Sequence, residues 1–177
     1  MMLASRPPCP LGYPSQQEID VLLRAGVDIM ALAMPLAMKI AVGRVAADGL
    51  FEPDAAGDRW AAFDEPLVDD LVFWNRSSGK LCSWSGRAFA LGQAVIDDPT
   101  TYSFDCNLNI FADPLDWLRA NRDGIVVLPD KWPLAFDRLR ECPRVAIAEQ
   151  LLPLYRRHMK PSRLPGLMIL PEGRRAA

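Results

Sequence analysis

The stretch DPLDWLRANRDGIVVL, residues 113–128, decides the fold because it joins a capped helix to a buried strand. Asp113 is a capping residue type, Pro114 is favoured in a first helical turn, and Gly124 allows the chain to leave the helix. The apolar run that follows has the length and β-branched content of a buried strand. A helix that leads into a strand predicts an α/β layer in the second half of the chain.

The same alternation continues towards the C-terminus. We predict helices over residues 133–141 and 151–159, with strands at 144–148 and 167–170. Three apolar runs separated by amphipathic stretches of similar length predict parallel neighbours joined by right-handed crossovers. On the N-terminal side of the opening stretch, we predict a helix at 86–96 and a strand at 101–105.

The first half of the chain has a different pattern. Ser15 and Glu18 have the spacing of a capping box and predict a helix over residues 16–25, and a second helix is expected to run up to Met34. Short β-branched and aromatic runs then occupy residues 39–85 and predict an antiparallel meander. Asp48-Gly49 marks one hairpin turn, and RSSG at residues 76–79 marks another. Trp74 and Trp84 would lie on the second hairpin, as a cross-strand pair if the register permits.

These patterns predict an α+β, or mixed α/β, fold. It has an N-terminal helix, an antiparallel β-meander, and then β–α alternation with a mixed sheet. The chain has 177 residues, half of them hydrophobic, which suits one hydrophobic core. We expect an irregular N-terminal arm at residues 1–14 and a single compact domain at 15–177 with a cationic C-terminal end. No signal peptide or membrane-spanning run is evident, which favours a cytoplasmic protein that does not bind membranes.

The net charge of −2 conceals an uneven distribution along the chain. Residues 1–150 hold 14 basic and 21 acidic side chains, whereas residues 151–177 hold 6 basic and 1 acidic. Much of the negative charge lies between residues 48 and 70, where eight acidic residues accompany one arginine, Arg59. The chain is therefore an acidic body with a basic end, and the basic end is the stronger functional signal. The predicted binding residues are Arg156, Arg157, His158, Lys160 and Arg163.

The sequence contains few residues whose type and spacing indicate a catalytic site. His158 is the only histidine, and the four cysteines have no chelating or redox spacing, so we predict no metal ligands and no cofactor. Neighbouring arginines favour a solvated His158 at a helix end over a catalytic base. RSSGK at residues 76–80 resembles the end of a phosphate-binding loop but lacks its first glycine, and Ser77 with Lys80 has a serine–lysine hydrolase spacing that is common by chance. No catalytic residue is assigned.

The aspartates of the chain support an alternative function, that of a metal-dependent enzyme. A divalent-metal-dependent hydrolase or nuclease needs two or three converging carboxylates, and the spacing along the chain permits such a set without requiring it. The residues available for it are Asp69, Asp70, Asp97 and Asp105.

Three segments carry a resemblance to a known group of proteins: residues 71–92 (LVFWNRSSGKLCSWSGRAFALG), 110–128 (IFADPLDWLRANRDGIVVL) and 151–161 (LLPLYRRHMKP). They resemble an uncharacterised family of small proteobacterial proteins loosely associated with mobile elements. The resemblance covers residues 40–170 and brings no catalytic residues. It implies a bacterial, DNA-related context.

Together these observations favour a non-enzymatic bacterial accessory protein. It would bind a protein or nucleic acid partner through the cationic C-terminal patch, with the acidic surface of residues 48–70 as a second candidate surface. Self-association through a tryptophan-rich or methionine-rich surface remains an open alternative, since sequence does not say which of these side chains are exposed.

Overall fold

The computed structural model describes residues 9–34 and 36–159, which form an α+β fold with two sheets. The first, sheet A, is antiparallel with strand order β2-β1-β3-β4-β5. It confirms the meander predicted for residues 39–85. Its strands are β1 (Lys39–Val45), β2 (Phe51–Pro53), β3 (Asp58–Glu65), β4 (Asp70–Trp74) and β5 (Leu81–Ser83).

Both predicted hairpins are present in sheet A. Gly49 and Gly79 have φ values of +82° and +71°, which tight turns require and which glycine adopts without strain. The tryptophan pairing, however, is wrong. Trp74 lies opposite Leu81, whereas the Trp84 N–H donates to the carbonyl of Leu71. Because side chains alternate along a strand, the two indoles lie on opposite faces of the sheet.

The two predicted N-terminal helices are confirmed as α1 (Gln16–Arg24) and α2 (Ile29–Ala33). Ser15 and Glu18 form the capping box, in which each side chain binds the backbone N–H of the other residue. Asp28 caps α2 by accepting the Met30 N–H at 2.7 Å. Within the predicted irregular arm, Gly12 forms an isolated bridge to Ile40 of β1.

The second sheet, sheet B, is mixed and contains the strand of the 113–128 stretch. Its strand order is β6-β8-β7-β9, with β7 parallel to both β8 and β9 and β6 antiparallel to β8. The strands are β6 (Ala90–Leu91), β7 (Leu108–Phe111), β8 (Ile125–Val127) and β9 (Val145–Ile147), and the helices between and after them are α3 (Pro114–Arg119), α4 (Trp132–Leu139) and α5 (Leu152–His158).

The opening stretch folds as predicted. Asp113 accepts the N–H groups of Leu115 and Asp116, α3 follows, and Gly124, at φ +135°, releases the chain into β8. The predicted α4, β9 and α5 are also confirmed within one or two residues. The strand expected at 167–170 lies outside the described residues. The neighbours of β8 were predicted incorrectly, because β7 lies between β8 and β9.

Two predictions between the sheets are wrong. Residues 86–96 contain β6 and a 3-10 helix at Gln93–Ile96 instead of an α-helix. The carboxylate of Asp70 accepts the N–H groups of Arg87 and Ala88, which holds this segment extended. Residues 101–105 lie in a 3-10 helix that begins after Asp98, its N-cap, so the strand starts later, at Leu108.

The core of the described residues contains three clusters of buried apolar side chains. One face of sheet A packs with α1, α2 and α3 and with β6 and β8, joining both sheets in one apolar cluster. The other face of sheet A holds an aromatic cluster in which Phe51 and Phe73 stack at 3.9 Å. The far face of sheet B packs against α4 and α5. Thus α3 and α4 lie on opposite faces of sheet B. Among the described helices, none has both the length and the apolar character needed to span a bilayer.

Candidate functional site

The connections of sheet B create a crevice at the carboxyl ends of β7 and β8. These two strands are parallel neighbours, but the chain leaves β7 for α3 on one face and leaves β8 for α4 on the other. Adjacent strands whose connections diverge in this way form a topological switch point, where open α/β sheets bind ligands. A cleft of about 550 Å³ opens there, bordered by Phe111 and Ala112 after β7 and by Val127, Pro129 and Asp130 after β8.

The cleft has mainly apolar walls from three further parts of the chain. The β4–β5 hairpin supplies Gly79 and Leu81, and the start of α4 supplies Trp132 and Pro133. The region of α5 supplies the side chains of Leu151, Leu154 and His158. The volume lies within the range of roughly 300–1,000 Å³ found for pockets that hold small organic ligands.

Two aromatic rings border the cleft, those of Trp132 and His158, and both contact Phe136, which is buried behind them. The rings of Trp132 and Phe136 are 5.1 Å apart, and the Phe136 and His158 rings stack at 4.9 Å with an interplanar angle of 11°. The His158 carbonyl also accepts the Nη2–H of Arg140 at 3.0 Å. His158 is the last residue of α5, at a helix end as predicted, but its ring is half-buried against α4 and is not fully solvated.

Few charged groups border the cleft. Asp130 is the one carboxylate in its lining, and Lys131 lies 3.5 Å from it. No side chain caps the N-terminus of α4, which begins at Trp132 beside Asp130. The first N–H groups of a helix lack intrahelical partners and carry partial positive charge. The open end of α4 thus faces the cleft region without the carboxylate cap that Asp113 provides for α3.

The predicted cationic residues do not form a single patch in the described part of the chain. Arg156 and Arg157 are exposed, and neither has an ion-pair partner among the described residues. Arg157 follows Leu154 by three residues and so lies on the cleft side of α5, whereas Arg156 is turned about 100° away from Arg157. Lys160 and Arg163 lie outside the described residues.

The candidate metal-binding aspartates are each engaged elsewhere. Asp70 is buried, and its carboxylate accepts four backbone N–H groups, those of Leu71, Ser85, Arg87 and Ala88, at 2.7–2.8 Å. The remaining aspartates pair with three different arginines: Asp69 with Arg87, Asp97 with Arg138 and Asp105 with Arg144.

The described residues contain no group of three or more histidine, cysteine, aspartate or glutamate side chains arranged to hold a metal ion. The thiols of Cys82, Cys106 and Cys142 are free. RSSGK forms the β4–β5 turn, in which the Ser78 N–H binds the side chain of Asn75, and no helix follows Lys80. A phosphate-binding loop would need such a helix.

The acidic stretch of residues 48–70 is largely neutralised by distant cations. Arg44 pairs with Glu52 and Asp54, and Lys39 lies 3.2 Å from Asp64. Arg59, the arginine within the stretch, instead binds Glu18 of α1 and helps to hold the pKa of that carboxyl near 2. This surface therefore offers less negative charge to a partner than the sequence indicates.

A second ionisable cluster lies between the sheets, away from the cleft. Burial raises the pKa of Glu65 to about 7, although the N–H groups of Gly92 and Gln93 bind its carboxylate. Asp70 is the cross-strand neighbour of Glu65 and raises its pKa further. Arg122 lies over the rings of Phe63 and Trp117, and burial lowers its pKa to about 10.

The polar groups of this buried cluster hold the elements together. The Nη1–H of Arg122 donates to the Leu36 carbonyl at 2.9 Å, which ties the end of α3 to the segment after α2. Its Nε and Nη2 atoms are buried and lack a hydrogen-bond partner among the described residues. This arrangement makes the cluster a source of pH-dependent stability.

The sequence left open whether a methionine-rich surface is exposed for self-association, and the structure shows such a surface. Around α2, the apolar side chains of Ile29, Met30, Met34 and Leu36 are between 45% and 57% exposed. Neighbouring exposed methionines are typical of adaptable protein-binding surfaces.

Comparisons with protein-family models, with curated proteins and with solved structures find no match to this chain. The resemblance to small proteobacterial proteins therefore stays a prediction.

The cleft escaped prediction because its walls come from distant parts of the chain. Trp132 and Leu81 have ordinary apolar contexts in the sequence, and nothing local indicates that they meet. The usable signal was the alternation of strands and helices after residue 108. It would have located the crevice only if the strand order, with β7 between β8 and β9, had been known.

Proposed function

We propose that this chain is a non-enzymatic accessory protein that binds an acidic partner through Arg156 and Arg157, the exposed arginines of α5. The observation that carries the proposal is the pair Arg156 and Arg157, two exposed guanidinium groups without an ion-pair partner in the described residues. Most other arginines in the described residues are engaged by carboxylates or carbonyls within the fold. Charges left unpaired at a surface are available to a partner.

The small cationic surface favours an acidic protein segment over nucleic acid. DNA-binding proteins neutralise several phosphates, commonly 6–10, and the described part of α5 offers two arginines. The chain as a whole is also acidic, with a net charge of −2, which weakens nonspecific capture of nucleic acid. A DNA partner is the alternative outcome of the experiment below, and it would agree with the bacterial, mobile-element-related context that the resemblance implies.

The experiment measures binding of a labelled oligoglutamate peptide and of a short DNA duplex as a function of salt. Replacing Arg156 and Arg157 together with glutamate should weaken oligoglutamate binding about tenfold, since each exposed ion pair contributes about 0.2–1 kcal/mol and reversal adds repulsion. The matched control reverses Arg24 and Arg76, two exposed arginines far along the chain from α5, and should leave the affinity unchanged.

Equal losses in the α5 variant and in its control would refute the α5 surface, because they would show a response to net charge alone. Tighter binding of the DNA duplex than of oligoglutamate, lost in the α5 variant, would assign the surface to nucleic acid. In that case the slope of log K against log salt should fall by about 2 when both arginines are removed.

The exposed apolar surface of α2 supports a second candidate function, self-association. Met30 and Met34 are 57% and 55% exposed, and Ile29 adjoins them. Exposed apolar surface of this kind marks protein contacts in soluble proteins. A homo-oligomer formed through α2 would leave α5 free for the acidic partner.

A further inference from the structure

The cleft at the switch point has the dimensions and walls of a site for a small organic molecule. Its volume of about 550 Å³ is more than three times that of a second cavity, of about 150 Å³, beside Tyr102 and Cys142. Leu81, Val127 and Leu154 supply apolar walls from three separate elements. Pockets of this size with mainly apolar walls and few polar groups are typical of small-ligand sites.

The two aromatic rings that border the cleft favour a flat ligand. They belong to Trp132 and His158, and the buried ring of Phe136 contacts both and supports them from behind. Flat faces of this kind pack well against a planar ring, which gains offset-stacking energy beyond the burial of its area.

The charges around the cleft favour an anion over a cation. Asp130, the carboxylate that a cationic ligand would need, already has Lys131 within 3.5 Å. The uncapped start of α4 presents partial positive charge beside it, and the His158 imidazole has an N–H to donate. These groups complement a carboxylate.

We propose that the cleft between the carboxyl ends of β7 and β8 binds a small aromatic carboxylate. Its ring lies against Trp132 and His158, and its carboxylate is directed towards His158 and the start of α4. Neither Arg156 nor Arg157 lines this site, although Arg157 lies on the same side of α5, and its occupancy does not depend on a macromolecular partner.

The test uses His158 as a reporter, because it is the only histidine in the chain and its ring protons give unique NMR signals. The full-length protein is titrated with indole-3-acetate and, in parallel, with the uncharged indole-3-acetamide. The His158 signals should shift and saturate with indole-3-acetate. The amide should bind about tenfold more weakly, because it loses the charge-assisted hydrogen bonds.

Two variants locate the site by calorimetry. Ala112→Phe places a ring in the cleft and should lower the affinity for indole-3-acetate about tenfold, and Leu154→Ala, which removes part of a wall, should also lower it. Ala55→Phe, in the exposed turn after β2, is the matched control and should bind like the wild type.

Three results would overturn the proposal. They are an absence of saturable shifts at His158 in the wild type, equal affinities for the acid and its amide, and unchanged binding by both cleft variants when their circular dichroism shows an intact fold. The first of these needs no variant, so the proposal stays falsifiable even if a substitution prevents folding.

Discussion

Glu65→Gln should remove a pH dependence of stability that arises from burial between the two sheets. Glu65 is 3% exposed, and its pKa of about 7 in the folded protein lies above the ordinary value of 4.5. Below pH 4.5 the side chain is protonated in both states and contributes no pH dependence. Between 4.5 and 7 the unfolded chain releases the proton while the folded protein retains it, so stability falls as pH rises.

The size of this effect follows from the two pKa values. A difference between 4.5 and about 7 corresponds to about 3 kcal/mol of stability lost from pH 4.5 to pH 8. Glutamine cannot ionise and keeps a carbonyl oxygen that can accept the Gly92 N–H. The variant should therefore gain about 3 kcal/mol relative to the wild type across this range.

Urea unfolding at a series of pH values measures this difference directly. Other titrating groups are common to both proteins, so their contributions cancel in the difference between the two free energies of unfolding. Glu149→Gln, at an exposed position, is the control and should follow the wild-type curve. A difference that varies by less than about 1 kcal/mol from pH 4.5 to pH 8 would refute the assignment of Glu65 as a buried acid that titrates near pH 7.

Two further predictions concern the hydrogen bonds that the Asp70 carboxylate accepts and the exposed apolar surface of α2. Asp70→Asn should lower the free energy of unfolding by about 2–4 kcal/mol, because an amide group replaces one of the oxygens of a buried carboxylate that accepts four backbone N–H groups. Asp69→Asn, at an exposed neighbour, should change it by less than about 0.5 kcal/mol in denaturant titrations. A small loss at Asp70 would contradict its role as the organiser of residues 85–88. If α2 mediates self-association, Met30→Glu with Met34→Glu should convert the oligomer to a monomer in sedimentation equilibrium, whereas a wild-type monomer would exclude that function.

Local signals in the sequence were sufficient for most elements. The Ser15–Glu18 capping box, the Asp113 cap with Pro114, and the glycine turns at Gly49 and Gly79 act within a few residues, so each could be recognised without the rest of the fold. Short β-branched and aromatic runs between turn residues likewise indicated the antiparallel meander, and the alternation of strands with helices indicated the mixed sheet.

The errors arose where tertiary contacts override local preference. Residues 86–96 have helical composition, but Asp70, seventeen and eighteen residues away, binds the N–H groups of Arg87 and Ala88 that a helix would need. The aspartates suggested a metal site because sequence cannot reveal that one binds backbone and the others bind arginines from distant elements. The cleft depends on strand order, which no local pattern determines.

Our central claim is that Arg156 and Arg157 of α5 bind an acidic partner. The salt dependence of the affinity for oligoglutamate tests this claim most directly. The wild type should bind more weakly as salt rises from about 50 to 200 mM, because exposed charges are screened, and the variant with glutamate at positions 156 and 157 should lose about tenfold in affinity and most of that salt dependence. The same affinity and the same salt dependence in both proteins would contradict the account.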